Sequence, residues 1–423
     1  MDLVSYFVEY NRYLNVIGIA VILLIAWLFS RKRRAIDYKM VAVALSLQVA
    51  IALIVLKTSF GNAAVQAVAT GVNKIYQFAD AGTSFVFGNL VNPNGAWGFI
   101  FAFKVLPVMI FFGALMALLF HFRIVQIFVG GVNWLLQPLL GTSGAETLVA
   151  IANSFLGQTE APLLIRNYLP RLTKSEIMTV MVTGMGTISG AVIVVYTAMG
   201  IPALHLLAAS VMAIPSGLLI SKILYPETEK PETKGVIKVE CEPTSKNMFD
   251  AISSGTSDGL SLALMIGAIL ISFIALIALL NVFLSGGSSL INHFLVWLGC
   301  SWQMPLLSLN VIFSYLCAPF AYLLGFTGSE ALAAGQLLGT KLAINELVAF
   351  GQIGSMMLSE RTVAVLTYAL CGFANFSSIG IQLGGIGALA PEKKATLSEL
   401  SLLALLGGTL ANLLSAMIAG LLL

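Results

Sequence analysis

The stretch NSFLGQTEAP, residues 153–162, decides the fold. Its centre is polar, with Gln158, Thr159 and Glu160 in a row, whereas the sequence on both sides is apolar. The surrounding segment, residues 141–169, forms two apolar arms that are each too short to cross the roughly 30 Å of hydrocarbon in a membrane. Two such arms that meet at a polar tip predict a re-entrant hairpin, whose backbone must be satisfied by protein or by a water-filled cavity.

The composition identifies an integral membrane protein. Of 423 residues, 58% are hydrophobic and 10% are charged, and the mean hydropathy is +0.95. Soluble chains carry about 25% charged residues. Several segments hold the roughly 20 apolar residues of a membrane-spanning helix, so we predict an all-α polytopic protein in the lipid bilayer rather than a barrel. The net charge of +3 is too small to indicate a nucleic-acid partner.

Eight segments predict membrane crossings. The middle of residues 175–199 is crowded with Gly, Ser and Thr, which predicts a discontinuous helix, and the segment that opens at Ser359 has a polar centre at residues 372–378. Residues 58–95 are predicted to form a partly helical excursion, and residues 123–140, broken by Gly and Pro, an interfacial helix. The remaining six crossings are residues 15–30, 40–56, 96–120, 202–224, 259–284 and 397–423.

The chain contains an internal repeat. The sequence LLGTSGAETLVAIANSFLGQTEAPLL at 139–164 recurs as LLGFTGSEALAAGQLLGTKLAINELVAF at 323–350. One constant offset relates the pairs Gly144 and Gly328, Glu146 and Glu330, and Ser175 and Ser359. A shared order of hairpin, broken helix and plain span makes chance similarity of two apolar stretches a poor explanation.

The repeat has inverted topology. A hairpin returns to its own side and two spans do likewise, so the single crossing between the copies turns the second copy upside down. This is a recurrent plan of secondary transporters, with solute and ion near the midplane. The domains are therefore N-terminal scaffold spans (1–121), the first repeat (122–224), a cytoplasmic loop (225–258), a scaffold span with its connection (259–305) and the second repeat (306–423).

Basic residues set the expected orientation. Most of the 22 Lys and Arg residues fall on one side of this arrangement, including the loop at residues 31–39 and the loop at residues 225–250. Because cytoplasmic loops carry an excess of Lys and Arg, that side is predicted to be cytoplasmic and both termini are predicted to lie outside.

Four acidic residues lie at the two hairpins. A carboxylate at the bilayer centre costs about 2.5 to 3.5 kcal/mol on insertion scales, so intramembrane acids indicate functional sites. Glu160 and Glu346 fall at corresponding tips and are predicted to accept hydrogen bonds from a solute, although a buried acid at a helix N-terminus is the structural alternative. For Glu146 and Glu330, at the hairpin bases, we favour that capping role.

Neutral hydrogen-bonding side chains complete the predicted site. Gln158, Thr159, Asn375 and Ser378 offer donors and acceptors that suit a ring with amides and a sugar with hydroxyls. No Lys or Arg accompanies them in these motifs, which disfavours a phosphorylated or carboxylate solute. Phe373 offers a flat face for stacking, but a core aromatic residue explains it at least as well.

A cation site is predicted beside the first hairpin. Asn153 and Thr187 supply side-chain oxygens, and the broken turns around Leu156 and Ile188 would expose backbone carbonyls, which are ligands for hard monovalent cations. Asn and Thr in such breaks also serve to satisfy the backbone. Transport of a proton on Glu160 or on Glu346 is the rival form of coupling.

Three separated motifs resemble the concentrative nucleoside transporter family, especially its bacterial branch. They are GQTEAPLLI at 157–165, NELVAF at 345–350 and GFANFSSIGIQ at 372–382. The resemblance implies a sodium-coupled importer of uridine-like nucleosides in the inner membrane, a homotrimer whose transport domains move like elevators. Sodium as coupling ion is the only cofactor it implies.

The matched positions imply a role for each residue. By resemblance, the hairpin tip at Gly157, Gln158, Thr159 and Glu160 addresses the nucleobase; Glu346, Asn375 and Ser378 hold the ribose; Phe373, Val192, Leu260 and Leu262 form apolar walls; and Asn153, Leu156, Thr187 and Ile188 bind sodium. At position 187 threonine stands where the family leads us to expect serine, and it keeps the hydroxyl oxygen.

Two other classes of protein are weighed against a transporter. Polar hairpins also build channel filters and intramembrane active sites. No Ser/His/Asp or metal-binding constellation supports an enzyme. A channel predicts a ring or a pore rather than two inverted closed tips.

Overall fold

The computed structural model describes residues 3–92, 95–98, 100–235 and 245–423, and these residues form α-helices, short 3-10 turns and no β-strand. The expected cytoplasmic loop therefore falls partly outside the described residues, at 236–244. The α-helices are α1 (Leu3–Val8), α2 (Arg12–Leu28), α3 (Tyr38–Lys57), α4 (Ser59–Phe87), α5 (Phe101–Lys104), α6 (Leu106–His121), α7 (Ile124–Leu140), α8 (Gly144–Asn153), α9 (Lys174–Gly186), α10 (Gly190–Ala198), α11 (Ala203–Leu224), α12 (Met248–Trp297), α13 (Leu309–Leu323), α14 (Gly328–Ala343), α15 (Glu346–Ile353), α16 (Glu360–Leu370), α17 (Phe376–Leu389) and α18 (Lys394–Leu422).

The polytopic α-helical class is confirmed. Within the described residues, seven stretches are long and apolar enough to cross a membrane. They correspond to seven of the eight expected crossings, and the eighth is the pair α16 and α17, which residues 371–375 interrupt. The segment at residues 58–95, expected to be only partly helical, contains the uninterrupted 29-residue helix α4.

The first hairpin begins with a regular helix and returns without one. Its first arm is α8, which starts with a capping box in which Ser143 and Glu146 satisfy each other's backbone N–H groups. The second arm consists of 3-10 turns at Ala161–Ile165 and Leu169–Arg171. The capping role predicted for Glu146 is therefore confirmed, and its carboxylate also forms an ion pair with Lys222 at the end of α11.

The second hairpin consists of two helices, α14 and α15, that meet at Ile344 and Asn345. Glu330, at the base of this hairpin, was predicted to cap α14. It instead caps the start of α16. Its carboxylate accepts hydrogen bonds from Ser359 N at 2.8 Å and from Thr362 Oγ1 at 2.6 Å. The capping role is right and the helix is a different one, because the fold brings the base of the hairpin beside the next helix.

Both discontinuous helices break at the predicted positions. The first ends at Gly186 and resumes at Gly190, and the second ends at Leu370 and resumes at Phe376. A broken helix frees carbonyl groups at the end of its first half and N–H groups at the start of its second half. Each break therefore places backbone groups without partners in their own helix inside the protein, where other elements can bond to them.

Helix α12 is longer than predicted. The expected crossing at residues 259–284 is only its most apolar part, since the helix continues through 50 residues from Met248 to Trp297. The irregular return segment, residues 300–308, then runs back along it. Three side chains of α12 bond to backbone groups of this segment and of the first residue of α13. Asn292 bonds both Met304 N and Met304 O at 2.9 Å. Ser288 accepts from Leu307 N at 3.0 Å, and Asn281 accepts from Leu309 N at 2.8 Å.

Burial divides the molecule into two regions. The 18 most apolar residues of two spans differ in burial. In Lys174–Ala198, 89% of them are buried, whereas in α12 only 6% are buried. Helix α12 packs on α6 through glycines: a Cβ atom added to Gly113 would lie 2.4 Å from Gly255 O, and one added to Gly259 would lie 2.5 Å from Met109 O. Gly255 and Gly259 have the spacing of a small-residue contact between membrane helices. The repeats thus form a core beside a more exposed scaffold.

Candidate functional site

The two hairpin tips and the second helix break enclose a cavity of about 190 Å³. Its lining includes polar groups from all three elements and apolar side chains from α10 and α12. Of the residues predicted to bind solute, those that line it are Gly157, Gln158, Thr159, Glu160, Val192, Leu262, Glu346, Phe373, Asn375 and Ser378. Leu260 does not line this cavity, because it lies two residues before Leu262 on α12 and therefore points elsewhere.

Glu346 is buried and held on two sides. Its side chain is 5% exposed, Tyr196 Oη donates to one carboxylate oxygen at 2.8 Å, and Asn375 Nδ2 donates to the other at 3.2 Å. Glu346 is also the first residue of α15, where the partial positive charge of a helix N-terminus favours a carboxylate. These interactions orient the carboxylate, and its free lone pairs can accept hydrogen bonds from hydroxyl groups.

Asn375 organises the start of α17. Its Oδ1 accepts from Ser378 N at 2.9 Å and from Ser377 Oγ at 2.6 Å, while its Nδ2 faces Glu346. One amide side chain thus caps the second half of the broken helix and joins it to the tip of the second hairpin. Ser378, one turn into α17, is 1% exposed.

Gln158 connects the first hairpin to the second repeat. Its Nε2 donates to Ser378 Oγ at 3.1 Å, and its Oε1 accepts from Gln382 Nε2, also at 3.1 Å. Gln382 is fully buried, and its Nε2 also contacts Met181 O at 3.0 Å. The residues predicted for the two ends of the solute are therefore hydrogen-bonded to each other across the cavity.

Glu160 has a more open environment than Glu346. Its side chain is exposed to cavities that lie deep within the protein, and its carboxylate accepts one hydrogen bond among the described residues, from Gly157 N at 3.2 Å. Glu160 also lines a second cavity of about 350 Å³ between α6, α12 and the first hairpin, which reaches His121 and Ser245. Met109, Ser189 and Leu262 line both cavities, so the two adjoin.

Tyr196 and Gln382, whose side chains bond to Glu346 and Gln158, were missed from the sequence. Tyr196 is fully buried and packs on Phe350 with ring centroids 4.5 Å apart. Each of them lies four positions, one helical turn, after a predicted residue: Tyr196 after Val192 on α10, and Gln382 after Ser378 on α17. Extending each predicted position by one turn on its helix would have found both.

The four residues predicted to bind a cation lie on the two sides of the first helix break, where Asn153 and Thr187 both bond to Thr183 and Phe155 O accepts from Gly190 N at 2.9 Å. Asn153 and Ile188 are fully buried, and Leu156 and Thr187 are 1% exposed. Asn153 Nδ2 donates to Thr183 Oγ1 at 3.1 Å, whereas Asn153 Oδ1 is buried without a hydrogen-bond partner in the described structure. Such an oxygen is costly unless something binds it, and it therefore fits a cation ligand.

Neutral oxygens are the available ligands at this break. Thr187 Oγ1 donates to Thr183 O at 2.9 Å, which leaves the hydroxyl lone pairs free for a cation. Over the residues that the structure describes, no group of three or more His, Cys, Asp or Glu side chains could hold a metal ion. This donor set suits a hard monovalent cation better than a transition metal.

The two helix breaks are joined directly. Phe373 N, in the second break, donates to Thr187 O, in the first break, at 3.1 Å. Asn412 on α18 bridges the same two regions, since its Nδ2 donates to Gly186 O at 2.7 Å and to Cys371 O at 3.1 Å. One backbone hydrogen bond and one amide side chain therefore tie the two breaks together.

Two inverted hairpins and two broken helices around a hydrogen-bonding cavity define a secondary transporter. Family models for the Na+ dependent nucleoside transporter match residues 17–90 (N-terminus) and 205–420 (C-terminus), and a model described as nucleoside recognition matches residues 102–203. The chain belongs to the Na+ dependent nucleoside transporter family. The resemblance seen in the three motifs is confirmed, and the family is one of transporters, not of enzymes.

Similar proteins come from bacteria and animals. The nucleoside permease NupC of Helicobacter pylori is 40% identical over 424 residues, which cover 97% of this chain and 98% of that protein. Solute carrier family 28 member 3 of Homo sapiens is 35% identical over 96% of this chain and 59% of that longer protein. The structure of CNTnw in an inward-facing substrate-bound state has a TM-score of 0.89, with 37% identity over 97% of this chain and 98% of that chain.

Proposed function

We propose that this protein imports nucleosides across the inner membrane by symport with sodium. The hydrogen bond between Thr187 O and Phe373 N carries the proposal, because it links the candidate sodium site to the candidate solute site through one peptide group on each side. A cation that orders the first break would thereby also order the second. Coupling of this kind lets one ligand raise the affinity for the other.

In the proposed binding mode, the ribose lies against the second repeat and the base against the first. Glu346, Asn375 and Ser378 hold the ribose hydroxyls, since a buried carboxylate accepts hydrogen bonds from hydroxyl donors strongly. The base meets the tip of the first hairpin, residues 157–160, and packs against apolar walls. A uridine-like nucleoside offers both the hydroxyls and the ring amides that this lining can satisfy.

Sodium in this proposal is bound beside Asn153. Its ligands are the unpaired Asn153 Oδ1, the Thr187 hydroxyl and carbonyl groups of the broken turns at Leu156 and Ile188. Dehydrated sodium needs several oxygen ligands, and backbone carbonyls at the end of a half-helix carry a partial negative charge. The orphaned amide oxygen is the observation that supports this assignment.

We propose an elevator mechanism in which the buried repeats move against the exposed scaffold. The larger cavity, which joins the solute site near Glu160, reaches Ser245 in the loop predicted to be cytoplasmic. This conformation would thus release solute to the inside, with both termini outside. The apolar exposed faces of α4 and α12 are the surfaces we assign to lipid and to a homotrimer.

Uptake into proteoliposomes tests the proposal. Radiolabelled uridine uptake is measured with an inward sodium gradient, an inward proton gradient or no gradient at equal membrane potential. We expect accumulation above equilibrium only with sodium. Uptake that ignores every cation gradient would contradict coupled transport.

Proton coupling is the second candidate function. It is favoured by one observation, the exposed carboxylate of Glu160 at the junction of the two cavities, where a proton can reach it. In the same assay, accumulation with a proton gradient in sodium-free buffer would support it and would exclude an obligatory sodium site.

A further inference from the structure

Lys341 has an unusual environment for a lysine. It is 3% exposed and lies in the last turn of α14, near the tip of the second hairpin. Its Nζ donates to Ala369 O at 2.8 Å and to Asn412 Oδ1 at 2.7 Å. Within the described residues it forms no ion pair.

Neutral oxygens therefore hold the Lys341 ammonium. Ala369 is the last residue but one of α16, so its carbonyl belongs to the negative end of a half-helix dipole. Asn412 supplies an amide oxygen. The nearest acid along the chain, Glu346, is engaged by Tyr196 and Asn375 instead. A carbonyl at a helix break and an amide oxygen are ligands of the kind that bind sodium in transporters.

The internal repeat relates this place to the candidate sodium site. The offset that carries Ser175 onto Ser359 also carries Thr187, in the first break, onto Cys371, in the second. Asn153 closes the first arm of hairpin one and contacts the helix before the first break through Thr183. The same offset carries Asn153 onto Leu337, one turn before Lys341 on α14. Lys341 therefore corresponds to Asn153 in place and not in alignment, because it lies at the same end of the first arm of hairpin two and contacts the helix before the second break.

We propose that the Lys341 ammonium is a built-in cation that takes, in the second repeat, the place that the coupling sodium takes in the first. It neutralises the half-helix end of α16 without an ion from solution. One repeat then binds a cation that comes and goes, and the other keeps one permanently. This inference rests on the proposed sodium symport. It predicts that one sodium is transported per nucleoside, because Lys341 occupies the place where a second sodium would bind.

The test compares Lys341→Ala with the wild-type protein in proteoliposomes. The charge moved per uridine and the dependence of uptake on sodium concentration are measured in both. Removal of the side chain leaves Ala369 O and Asn412 Oδ1 with room for an ion, so we expect the ratio to rise from one to two charges and the Hill coefficient to approach 2. Methylammonium, which fits the same space, should compete with the second sodium in the variant and not affect the wild type.

Lys341→Gln is the matched variant, because its side chain is only one bond shorter and keeps an N–H donor but carries no charge. It leaves no room for an ion, so we expect uridine affinity to fall at least tenfold at every sodium concentration, with a Hill coefficient of 1. Uridine affinity unchanged in Lys341→Gln would overturn the proposal, whether or not the alanine variant folds. A ratio of one charge in a folded Lys341→Ala, or of two in the wild type, would overturn it as well.

The wild-type measurement separates the two levels of inference. A wild type that transports uridine without any sodium response contradicts the proposed function itself. A sodium-coupled wild type with an unchanged Lys341→Ala stoichiometry contradicts only the role of Lys341.

Discussion

The two hairpin tips each present a carboxylate to the same cavity, but they hold it differently. Glu346 is 5% exposed and is fixed by Tyr196, by Asn375 and by the start of a helix. Glu160 is exposed and accepts one hydrogen bond, from Gly157. A buried charge must be hydrogen-bonded to be tolerated, whereas an acid at an open cavity can be satisfied by water.

This difference matches what nucleosides share and what they do not. All of them carry a sugar with hydroxyl groups, which a preoriented carboxylate binds without further ordering. Their bases differ in the positions of donors and acceptors, and a less constrained acid with solvent beside it adapts to them. In the proposed binding mode, the second repeat would provide affinity and the first would tolerate different bases.

The largest effect is expected for Glu346→Gln. The amide keeps the shape but removes the charge, and hydrogen bonds to charged groups contribute about 1.5 to 3 kcal/mol each. With two ribose hydroxyls involved, uridine affinity should fall about 100-fold, as measured by isothermal titration calorimetry and by uptake. Glu330→Gln is the control, because Glu330 caps α16 away from the cavity and should alter thermal stability rather than affinity. Affinity within a few-fold of wild type in Glu346→Gln would contradict the assignment.

Tyr196→Phe tests whether the fixed position of Glu346 matters. The substitution removes a hydrogen bond to a charged group, which contributes about 1.5 kcal/mol, so uridine affinity should fall about tenfold. Tyr368→Phe is the matched control, because Tyr368 is equally buried but its hydroxyl group lies by His205, at 3.3 Å. Equal effects of the two substitutions on binding would mean that Tyr196 acts only through packing.

Glu160→Gln should have a weaker effect that depends on the base. If its carboxylate accepts a hydrogen bond from an N–H group of the base, loss of that bond, worth about 1 kcal/mol, should reduce uridine affinity about fivefold. A uridine methylated at that nitrogen lacks the donor and should bind the variant and the wild type equally. An equal loss of affinity for uridine and for the methylated ligand would show that Glu160 does not bind this N–H group. A loss as large as that in Glu346→Gln would contradict the different roles of the two hairpin tips.

The smallest effect is expected for Thr187→Ala. It removes one of several oxygen ligands while the carbonyls remain, so the sodium concentration for half-maximal uptake should rise about threefold, which corresponds to about 0.6 kcal/mol of binding free energy. Thr187→Ser retains the hydroxyl group and should behave as the wild type. An unchanged sodium response in the alanine variant would count against this site.

Local signals in the sequence predicted much of the fold. The breaks near Thr187 and residues 372–378 were predictable because Gly, Ser and Asn disrupt an apolar helix wherever it lies. The inverted repeat was predictable because it is a comparison of the chain with itself. The same signals placed the polar tips, and with them Glu160 and Glu346, around one site.

Other features depend on which elements pack together, which no local pattern contains. The helix that Glu330 caps, the carbonyl that Lys341 bonds and the hydrogen bond from Tyr196 to Glu346 each depend on a contact between two separate helices. The length of α12 was missed for a different reason. Its Gly286 and Gly287 disfavour a helix by about 1 kcal/mol each relative to alanine, and the helix continues past both of them.

The return segment after α12 has a consequence for the order of folding. Its bonds to Asn292, Ser288 and Asn281 join residues only 12, 19 and 28 positions apart. Contacts between neighbours in sequence need little loop closure and form early. This segment can therefore bind to α12 before the second hairpin has been synthesised. The start of α13 is then already held in place when the second hairpin folds. An Asn292→Ala variant would then lose yield of inserted protein rather than affinity for solute.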